Sequence, residues 1–207
     1  MTGDSIASAM SQEVNKSNYL WRRASGHYLF HAAFSGSTIA NYTTGDFASW
    51  NPWSFVTRSA VGATNIIDVS NCDLLIVWAG FNDKNKPIPL GTNVSTDSNT
   101  FAGAIRNGIL NYQARNPNMK IMFITPSANP YQTNNALGNS LADFKDKIIS
   151  VCGLMGIPVY DEYTLCGITD ANKATYIDVD QIHPYATSHQ IWAPQQAAFV
   201  LANIVFP

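Results

Sequence analysis

The sequence predicts an α/β fold in which helices cover both faces of a mostly parallel sheet. Two observations support this prediction: short apolar runs alternate with longer amphipathic stretches, and polar clusters follow the apolar runs. The strand candidates are Tyr28 to Phe34, Leu74 to Ala79, Lys120 to Thr125 and Ile157 to Tyr160. The helix candidates are Ile6 to Lys16, Thr100 to Arg115, Ser140 to Met155 and Thr187 to Ile204.

Each strand candidate is an apolar run that ends where Gly, Pro, Asn or Asp interrupts the pattern. The first ends before Ser35-Gly36, the second at Gly80, the third at Pro126 and the fourth at Asp161. Each helix candidate has apolar residues at three- and four-residue spacing, which places them on one face of a helix. Because strands and helices alternate one for one, we expect parallel strands and a functional site beyond their carboxyl ends.

The chain is long enough to bury one substantial core, and residues 1–207 are predicted to form a single domain. Apolar residues make up 46% of the chain and charged residues only 13%. The formal net charge of -2 provides no basic surface for phosphate groups. Nucleic acid and anionic membranes are therefore not expected as partners.

The cysteines and the apolar runs exclude several protein classes. Cys72, Cys152 and Cys166 are too few and too scattered for a disulfide framework, and no Cys-x-x-Cys pair occurs, so we expect small buried side chains and no metal. Runs such as Leu74 to Ala79 fall far short of the roughly 20 residues that cross a bilayer. We expect a soluble protein without a membrane span, extracellular or virion-associated rather than cytoplasmic.

Ser5 is the first candidate for chemistry. Gly3-Asp4-Ser5 stands directly before a predicted helix, where backbone N–H groups can stabilise a developing anion. The alternative is structural, because Asp or Ser before an apolar helix is commonly its N-cap. This segment alone leaves both roles open.

Asp180 and His183 form a second candidate pair, three residues apart. At this spacing the carboxylate can orient the imidazole, which can then accept the proton of Ser5. Asp178 is a rival for the orienting role. The other histidines have no carboxylate at this spacing and are expected to be structural; they are His27, His31 and His189.

Two further loops contain hydrogen-bond donors for an anion. Gly36 lies between two serines, where it can offer an unobstructed backbone N–H or serve only as a loop glycine. Asn82, in Gly80-Phe81-Asn82-Asp83, follows the most apolar strand candidate and can donate through its side-chain amide. The same four residues are also typical of a turn.

In their order and placement these blocks resemble the SGNH hydrolase superfamily of GDSL-type esterases and lipases. That family has a Gly-Asp-Ser near the start, a loop Gly, a Gly-x-Asn-Asp and an Asp-x-x-His near the end. All four blocks occur here in this order, from Gly3 to His183. The resemblance implies a flavodoxin-like three-layer α/β/α sandwich and a serine ester hydrolase that uses neither a metal nor an organic cofactor.

The resemblance also implies a role for each block. Ser5 would be the nucleophile, His183 the base and Asp180 the residue that orients it. The oxyanion hole would consist of the Ser5 backbone N–H together with Gly36 and Asn82.

The start of the chain departs from the family pattern. The first central strand of the family precedes the nucleophile block, whereas only Met1 and Thr2 precede Gly3 here. Two residues are too few for a normal strand. We therefore expect either further residues upstream of Met1 or an unusual occupant of the first sheet position.

An aromatic segment between the second and third blocks suggests the substrate. Its members are Tyr42, Phe47, Trp50, Trp53 and Phe55. Such density is common in cores, but rings beside a catalytic loop can also form an open platform that suits sugars better than long acyl chains. We expect a short-chain esterase that removes acetyl groups from a carbohydrate, with Trp50, Trp53 and Phe81 as substrate contacts. Lipid or thioester hydrolysis is the alternative.

The sequence also allows two hypotheses without catalysis. One is an SGNH-fold carbohydrate-binding module, such as an adhesin or tail-fibre domain, that has lost its chemistry. The other is a purely structural α/β domain in which the four blocks coincide by chance.

Overall fold

The computed structural model describes residues 1–3, 33, 36–41, 55 and 68–205. The predicted helix Ile6 to Lys16 lies outside the described residues, as does the predicted strand Tyr28 to Phe34 apart from Ala33. Other residues named in the sequence analysis also lie outside them, among them Ser5, His27, His31, Tyr42, Phe47, Trp50 and Trp53.

Four strands form one parallel sheet in the described part of the chain. They are β1 (Thr2–Gly3), β2 (Leu74–Trp78), β3 (Lys120–Ile124) and β4 (Val159–Tyr160), and they follow one another across the sheet in this order. All three neighbouring pairs are parallel. The register aligns the carboxyl ends of β2, β3 and β4, because Trp78 pairs with Ile124 and Ile124 with Tyr160.

β1 occupies the sheet position beside β2 and ends at Gly3, the first residue of the Gly3-Asp4-Ser5 segment. Thr2 is in register with Val77 and Gly3 with Trp78, so this two-residue strand pairs only with the carboxyl-terminal part of β2. The first sheet position is thus filled by a very short strand that ends level with its neighbour. The sequence then continues directly into Asp4 and Ser5.

β4 is shorter than predicted, because Ile157 and Pro158 precede it without joining it. Proline has no backbone N–H to donate to a neighbouring strand. The carbonyl of Pro158 nevertheless accepts the N–H of Phe123 at 3.0 Å, so the chain already runs beside β3 at this point.

Three long helices match the predicted ones to within a few residues. They are α2 (Phe101–Arg115), α3 (Leu141–Leu154) and α6 (Ala186–Asn203). Single-turn helices α1 (Phe81–Lys84), α4 (Glu162–Leu165) and α5 (Lys173–Tyr176) lie in the loops. None of the helices among the described residues is long and apolar enough to cross a membrane.

Side-chain caps fix the starts of two long helices. The Thr100 hydroxyl accepts the N–H of Gly103 at 3.2 Å and thereby begins α2. Ser140 and Asp143 form a reciprocal capping box at the start of α3. Both caps satisfy N–H groups that have no partner within the helix. This explains why each helix begins one residue after its predicted start.

Helices cover both faces of the sheet. Leu75 and Val77 of β2 belong to a core cluster formed mainly with α2 and α3, whereas Ile76 and Trp78 belong to a second cluster with Trp192 and other residues of α6. Alternate residues of a strand point to opposite faces, so β2 is buried on both sides. This arrangement confirms the predicted α/β class and explains the continuous apolar sequence of β2.

The three cysteines are free thiols. Cys152 and Cys166 are buried, whereas Cys72 is only half-buried. Burial raises the pKa of the Cys152 thiol, which therefore stays protonated.

Candidate active site

Two polar loops follow the carboxyl ends of β2 and β3. The segment Gly80-Phe81-Asn82-Asp83 comes directly after β2, and residues 125–132 follow β3. Because the strands are parallel, these loops lie at the same edge of the sheet. β1 ends at this edge too, since Gly3 is level with Trp78. Ser5, two residues further along the sequence, lies outside the described residues.

The structure brings the Gly36 and Asn82 blocks together. Gly36 has a φ of 76°, a left-handed conformation that glycine adopts without strain. The amide Nδ2 of Asn82 donates a hydrogen bond to the backbone carbonyl of Ser37 at 3.1 Å. One amide N–H of Asn82 therefore holds the loop that contains Gly36.

Asp83 attaches the same loop more firmly. Its side chain is fully buried, and its carboxylate accepts the backbone N–H of Ile39 at 3.0 and 2.9 Å and that of Ala40 at 2.9 Å. The sequence analysis assigned no role to Asp83. Its sequence signal was its place as the last residue of the Gly-x-Asn-Asp block.

Gly80 allows the sharp turn between β2 and α1. Its φ is 117°, and a Cβ at this position would lie 3.2 Å from the ring of Phe101 and 3.3 Å from Pro126. The backbone conformation thus favours glycine strongly, and the close packing leaves little room for a Cβ. The segment that the sequence left open as a turn is a tight turn leading into a single helical turn.

Asp180 and His183 lie in a closed loop before α6. An antiparallel bridge between Ile177 and Pro184 closes the loop, and the N–H of Asp178 donates to the carbonyl of His183 at 2.7 Å. Within the loop, Oδ2 of Asp180 lies 2.6 Å from Nδ1 of His183. The structure therefore places the two predicted partners in direct contact.

The rival carboxylate points elsewhere. Oδ1 of Asp178 accepts the backbone N–H of Val179 at 2.6 Å. Asp180, in contrast, binds the ring of His183 through Oδ2 and the backbone N–H groups of Ile182 and His183 through Oδ1, at 2.8 and 2.9 Å. The geometry thus favours Asp180 over Asp178 as the orienting carboxylate.

Hydrogen bonding keeps Asp180 ionised. Partial desolvation raises the pKa of this carboxyl, but hydrogen bonds from the His183 ring and from two backbone N–H groups outweigh it, so the pKa lies below its usual value. An ionised Asp180 accepts the proton of Nδ1, which leaves Nε2 of His183 as the proton acceptor. The His183 side chain is 40% exposed and therefore accessible.

The family can be assigned from most of the chain. The model of the GDSL-like Lipase/Acylhydrolase family matches residues 1–191, which include all four blocks. The chain belongs to this family. It is accordingly an ester-hydrolysing enzyme of the GDSL-like type. No curated protein matches the sequence significantly.

Solved structures share the fold of this GDSL-like acylhydrolase at low sequence identity. A protein from Lactobacillus plantarum has a TM-score of 0.74 at 22% identity, covering 99% of this chain and 96% of its own. A possible lipase from Chitinophaga pinensis has a TM-score of 0.67 at 17% identity, with coverages of 97% and 96%. A lipase/acylhydrolase from Enterococcus faecalis has a TM-score of 0.62 at 15% identity, with coverages of 99% and 95%.

Two aromatic residues of the predicted substrate surface are core residues. The ring of Phe81 is 2% exposed and belongs to the cluster of Trp78 and Met122, so it packs the core and does not contact substrate. Phe55 is 5% exposed and stacks on Tyr112, with a centroid distance of 5.2 Å. The predicted substrate contact of Phe81 is therefore wrong, and for Phe55 the core alternative applies.

Neither a metal cluster nor a second candidate for a catalytic histidine emerges from the described part of the chain. No group of three or more His, Cys, Asp or Glu side chains there could hold a metal ion. His189 is 1% exposed and packs edge-on against Trp78 and Trp192, each at a centroid distance of 5.7 Å. Burial lowers the pKa of His189 to about 4, so the ring is neutral at physiological pH.

Proposed function

We propose that this acylhydrolase is a serine esterase with a Ser5–His183–Asp180 triad and that residues 1–207 form one catalytic domain. The main support is the 2.6 Å contact between His183 Nδ1 and Asp180 Oδ2 in a loop whose Asp-x-x-His sequence is typical of the family. The second support is the short strand β1, which ends at the same sheet edge two residues before Ser5.

The reaction would proceed in two acyl-transfer steps. His183 Nε2 takes the proton of the Ser5 hydroxyl as Oγ bonds to the ester carbonyl carbon. The resulting tetrahedral intermediate collapses, the ester C–O bond breaks, and the proton passes from His183 to the leaving alcohol. Water then attacks the acyl-enzyme by the same route in reverse and releases the acid. Asp180 stabilises the protonated imidazole in both steps.

Gly36 and Asn82 are proposed to stabilise the oxyanion together with the Ser5 backbone N–H. A primary amide carries two N–H donors, and Asn82 uses one of them on the Ser37 carbonyl at 3.1 Å. The other can donate to the substrate oxygen. Fixing the amide through the first bond preorganises the second, which is what transition-state stabilisation requires.

We propose short acyl groups, in particular acetyl groups on a carbohydrate, as the substrate. The support is the sequence segment with Tyr42, Phe47, Trp50 and Trp53 between the two oxyanion blocks. Flat rings beside Asn and Thr side chains suit sugar rings. Trp50 and Trp53 are the proposed contacts.

Longer acyl groups or thioesters are the second candidate, for which the triad loop provides an observation. Val179 and Ile182 in this loop are 88% and 38% exposed, and they stand next to Asp180 and His183 in the sequence. Exposed aliphatic side chains beside a catalytic histidine can contact an acyl chain. Rates on p-nitrophenyl acetate, butyrate and octanoate separate the two candidates, because only an acyl-chain site gives rates that rise with chain length.

One labelling experiment tests the proposed chemistry. A fluorophosphonate reacts with an activated serine, so intact mass and peptide mapping should show one adduct, on Ser5. Ser5→Ala and His183→Ala should remove the adduct, while Ser8→Ala, a matched serine in the same segment, should keep it. An unlabelled, folded wild-type protein that binds carbohydrate would instead identify a module without catalysis.

A further inference from the structure

We infer that Asn129 and Gln132 are positioning residues, which hold the loop of His183 in its reactive conformation by binding the backbone carbonyl of Gln181. This inference rests on the proposed triad. It concerns side chains that contact neither His183 nor Asp180 through any described hydrogen bond and that no family block contains.

Gln181 is the turning point of the triad loop. Its φ of 60° is the only positive φ of a residue other than glycine in the described part of the chain. A left-handed conformation is strained at such a residue, because its Cβ crowds the backbone. Gln181 lies between Asp180 and His183, so this strained turn sets the path on which the Asp180 carboxylate reaches the His183 ring. Some other interaction must compensate for the strain.

Two side-chain amides from the loop after β3 bind this turn. Asn129 Nδ2 donates to the Gln181 carbonyl at 3.1 Å, and Gln132 Nε2 donates to the same oxygen at 2.9 Å. Asn129 is only 8% exposed, and its Oδ1 accepts the N–H of Tyr131 at 3.0 Å, which fixes the amide. The carbonyl at the strained turn is therefore held by two preorganised donors.

Lys84 fixes the orientation of the Gln132 amide. The ammonium Nζ of Lys84 donates to Gln132 Oε1 at 3.1 Å and to Asn85 Oδ1 at 3.1 Å. An ammonium group has no acceptor, so Gln132 must present its oxygen to Lys84 and its NH₂ group to Gln181. Burial lowers the pKa of Lys84, whose residue is only 3% exposed.

The resulting chain of contacts connects the two halves of the proposed site. Lys84 follows Asn82 by two residues in α1, and Gln181 precedes His183 by two residues. The path from Lys84 through Gln132 to the Gln181 carbonyl therefore links α1, which contains Asn82, to the loop that contains His183. A proton transfer depends steeply on distance, so a small shift of His183 lowers the rate without weakening substrate binding.

Two variants of similar shape remove the donors and keep the acceptors. Asn129→Asp keeps the acceptor for Tyr131 N–H, and Gln132→Glu keeps the acceptor for Lys84, but each places a carboxylate oxygen against the Gln181 carbonyl. We expect each variant to lower kcat about tenfold, and the pair about a hundredfold, with KM within about twofold of wild type. Asn134→Asp is the matched control, because Asn134 donates to Gly138 and not to the triad loop.

A rescue variant and an activity-independent readout complete the test. Glycine at position 181 adopts a positive φ without strain. Adding Gln181→Gly to the double variant should therefore raise its kcat at least fivefold. Hydrogen exchange by mass spectrometry should show faster exchange of a peptide covering residues 178–185 in the double variant than in wild type. Thermal unfolding identifies any variant that has lost its fold. If the double variant does not fold, hydrogen exchange of residues 178–185 is measured instead on Gln181→Gly in the wild-type background.

The outcomes separate this inference from the proposed function. Unchanged hydrogen exchange in the folded double variant overturns the anchoring of the loop. Faster exchange with an unchanged kcat overturns the positioning role, as does an effect on KM alone. A wild-type enzyme without esterase activity and without a Ser5 adduct overturns the proposed function itself, and the positioning role with it.

Discussion

Both carboxylate oxygens of the fully buried Asp83 accept the backbone N–H of Ile39, at 3.0 and 2.9 Å. Oδ1 also accepts the N–H of Ala40 at 2.9 Å. Asp83 thus ties the loop of Gly36 to the helix of Asn82. Two proposed oxyanion donors from distant parts of the sequence are held together by the residue next to one of them.

Replacing Asp83 should cost both stability and activity. Asp83→Ala leaves two buried backbone N–H groups without their acceptor, so we expect the free energy of unfolding to fall by about 2–5 kcal/mol. Asp83→Asn keeps one oxygen and should lose less. Urea unfolding measures both, with Asp146→Ala as the control at an exposed position. A loss below about 1 kcal/mol for Asp83→Ala would contradict the anchoring role.

Asp180 and Asp178 should respond very differently to the same change. Asp180→Asn removes the anionic acceptor of His183 Nδ1, and the resulting loss in kcat should be on the order of 10⁴-fold. Asp178→Asn keeps the acceptor oxygen for the Val179 N–H and should lower kcat less than about threefold. Steady-state kinetics on p-nitrophenyl acetate decides. The reverse ranking would assign the orienting role to Asp178.

Asn82→Ala should act on the chemical step. Removing one donor of an oxyanion hole lowers kcat by about 10²–10³-fold, because the donor interacts mainly with the transition state. KM should stay nearly constant. Asn118→Ala is the control, since that side chain is exposed and far along the sequence from the four blocks. A change confined to KM would make Asn82 a substrate-binding residue.

The sequence was sufficient for those parts of the molecule that local patterns determine. The apolar run of β2 and the spacing in α2, α3 and α6 predicted these elements nearly to the residue. The three-residue spacing of Asp180 and His183 predicted their contact, because side chains so close in sequence are within reach of each other in a short loop.

The contacts that hold the site together could not be predicted in this way. Asp83 finds its partners more than 40 residues away, and Asn129 and Gln132 bind a carbonyl about 50 residues away. A backbone carbonyl has no residue-type signal, and Gln181 gives no hint of a positive φ, which glycine or asparagine would have given. Long-range contacts to the backbone are therefore invisible to spacing and composition.

Glu162 and Gln196 form a buried pair on the face of the sheet that α6 covers. Gln196 Nε2 donates to Glu162 Oε2 at 2.8 Å, and both side chains are fully buried. The pKa of Glu162 is raised to about 8, mainly by desolvation. The Gln196 hydrogen bond lowers this pKa, and the nearby charge of Asp161 raises it. Glu162 is thus a neutral acid at pH 7.

This pair should make the stability depend on pH. Between the unfolded pKa of about 4.3 and the folded value of about 8, the folded state holds a proton that the unfolded state has released. The Glu162 contribution is therefore fully present below this window and is lost as the pH rises through it, by at most about 1.4 kcal/mol per pH unit. Glu162→Gln cannot ionise and should be more stable than wild type at pH 9, with a difference that shrinks towards pH 5.

Urea unfolding from pH 5 to 9 measures this difference in stability directly. Buried His189 contributes the opposite slope between pH 4 and 6.5, and the comparison with wild type cancels it. Parallel stability curves for Glu162→Gln and wild type would show that Glu162 does not bind the proton in the folded protein.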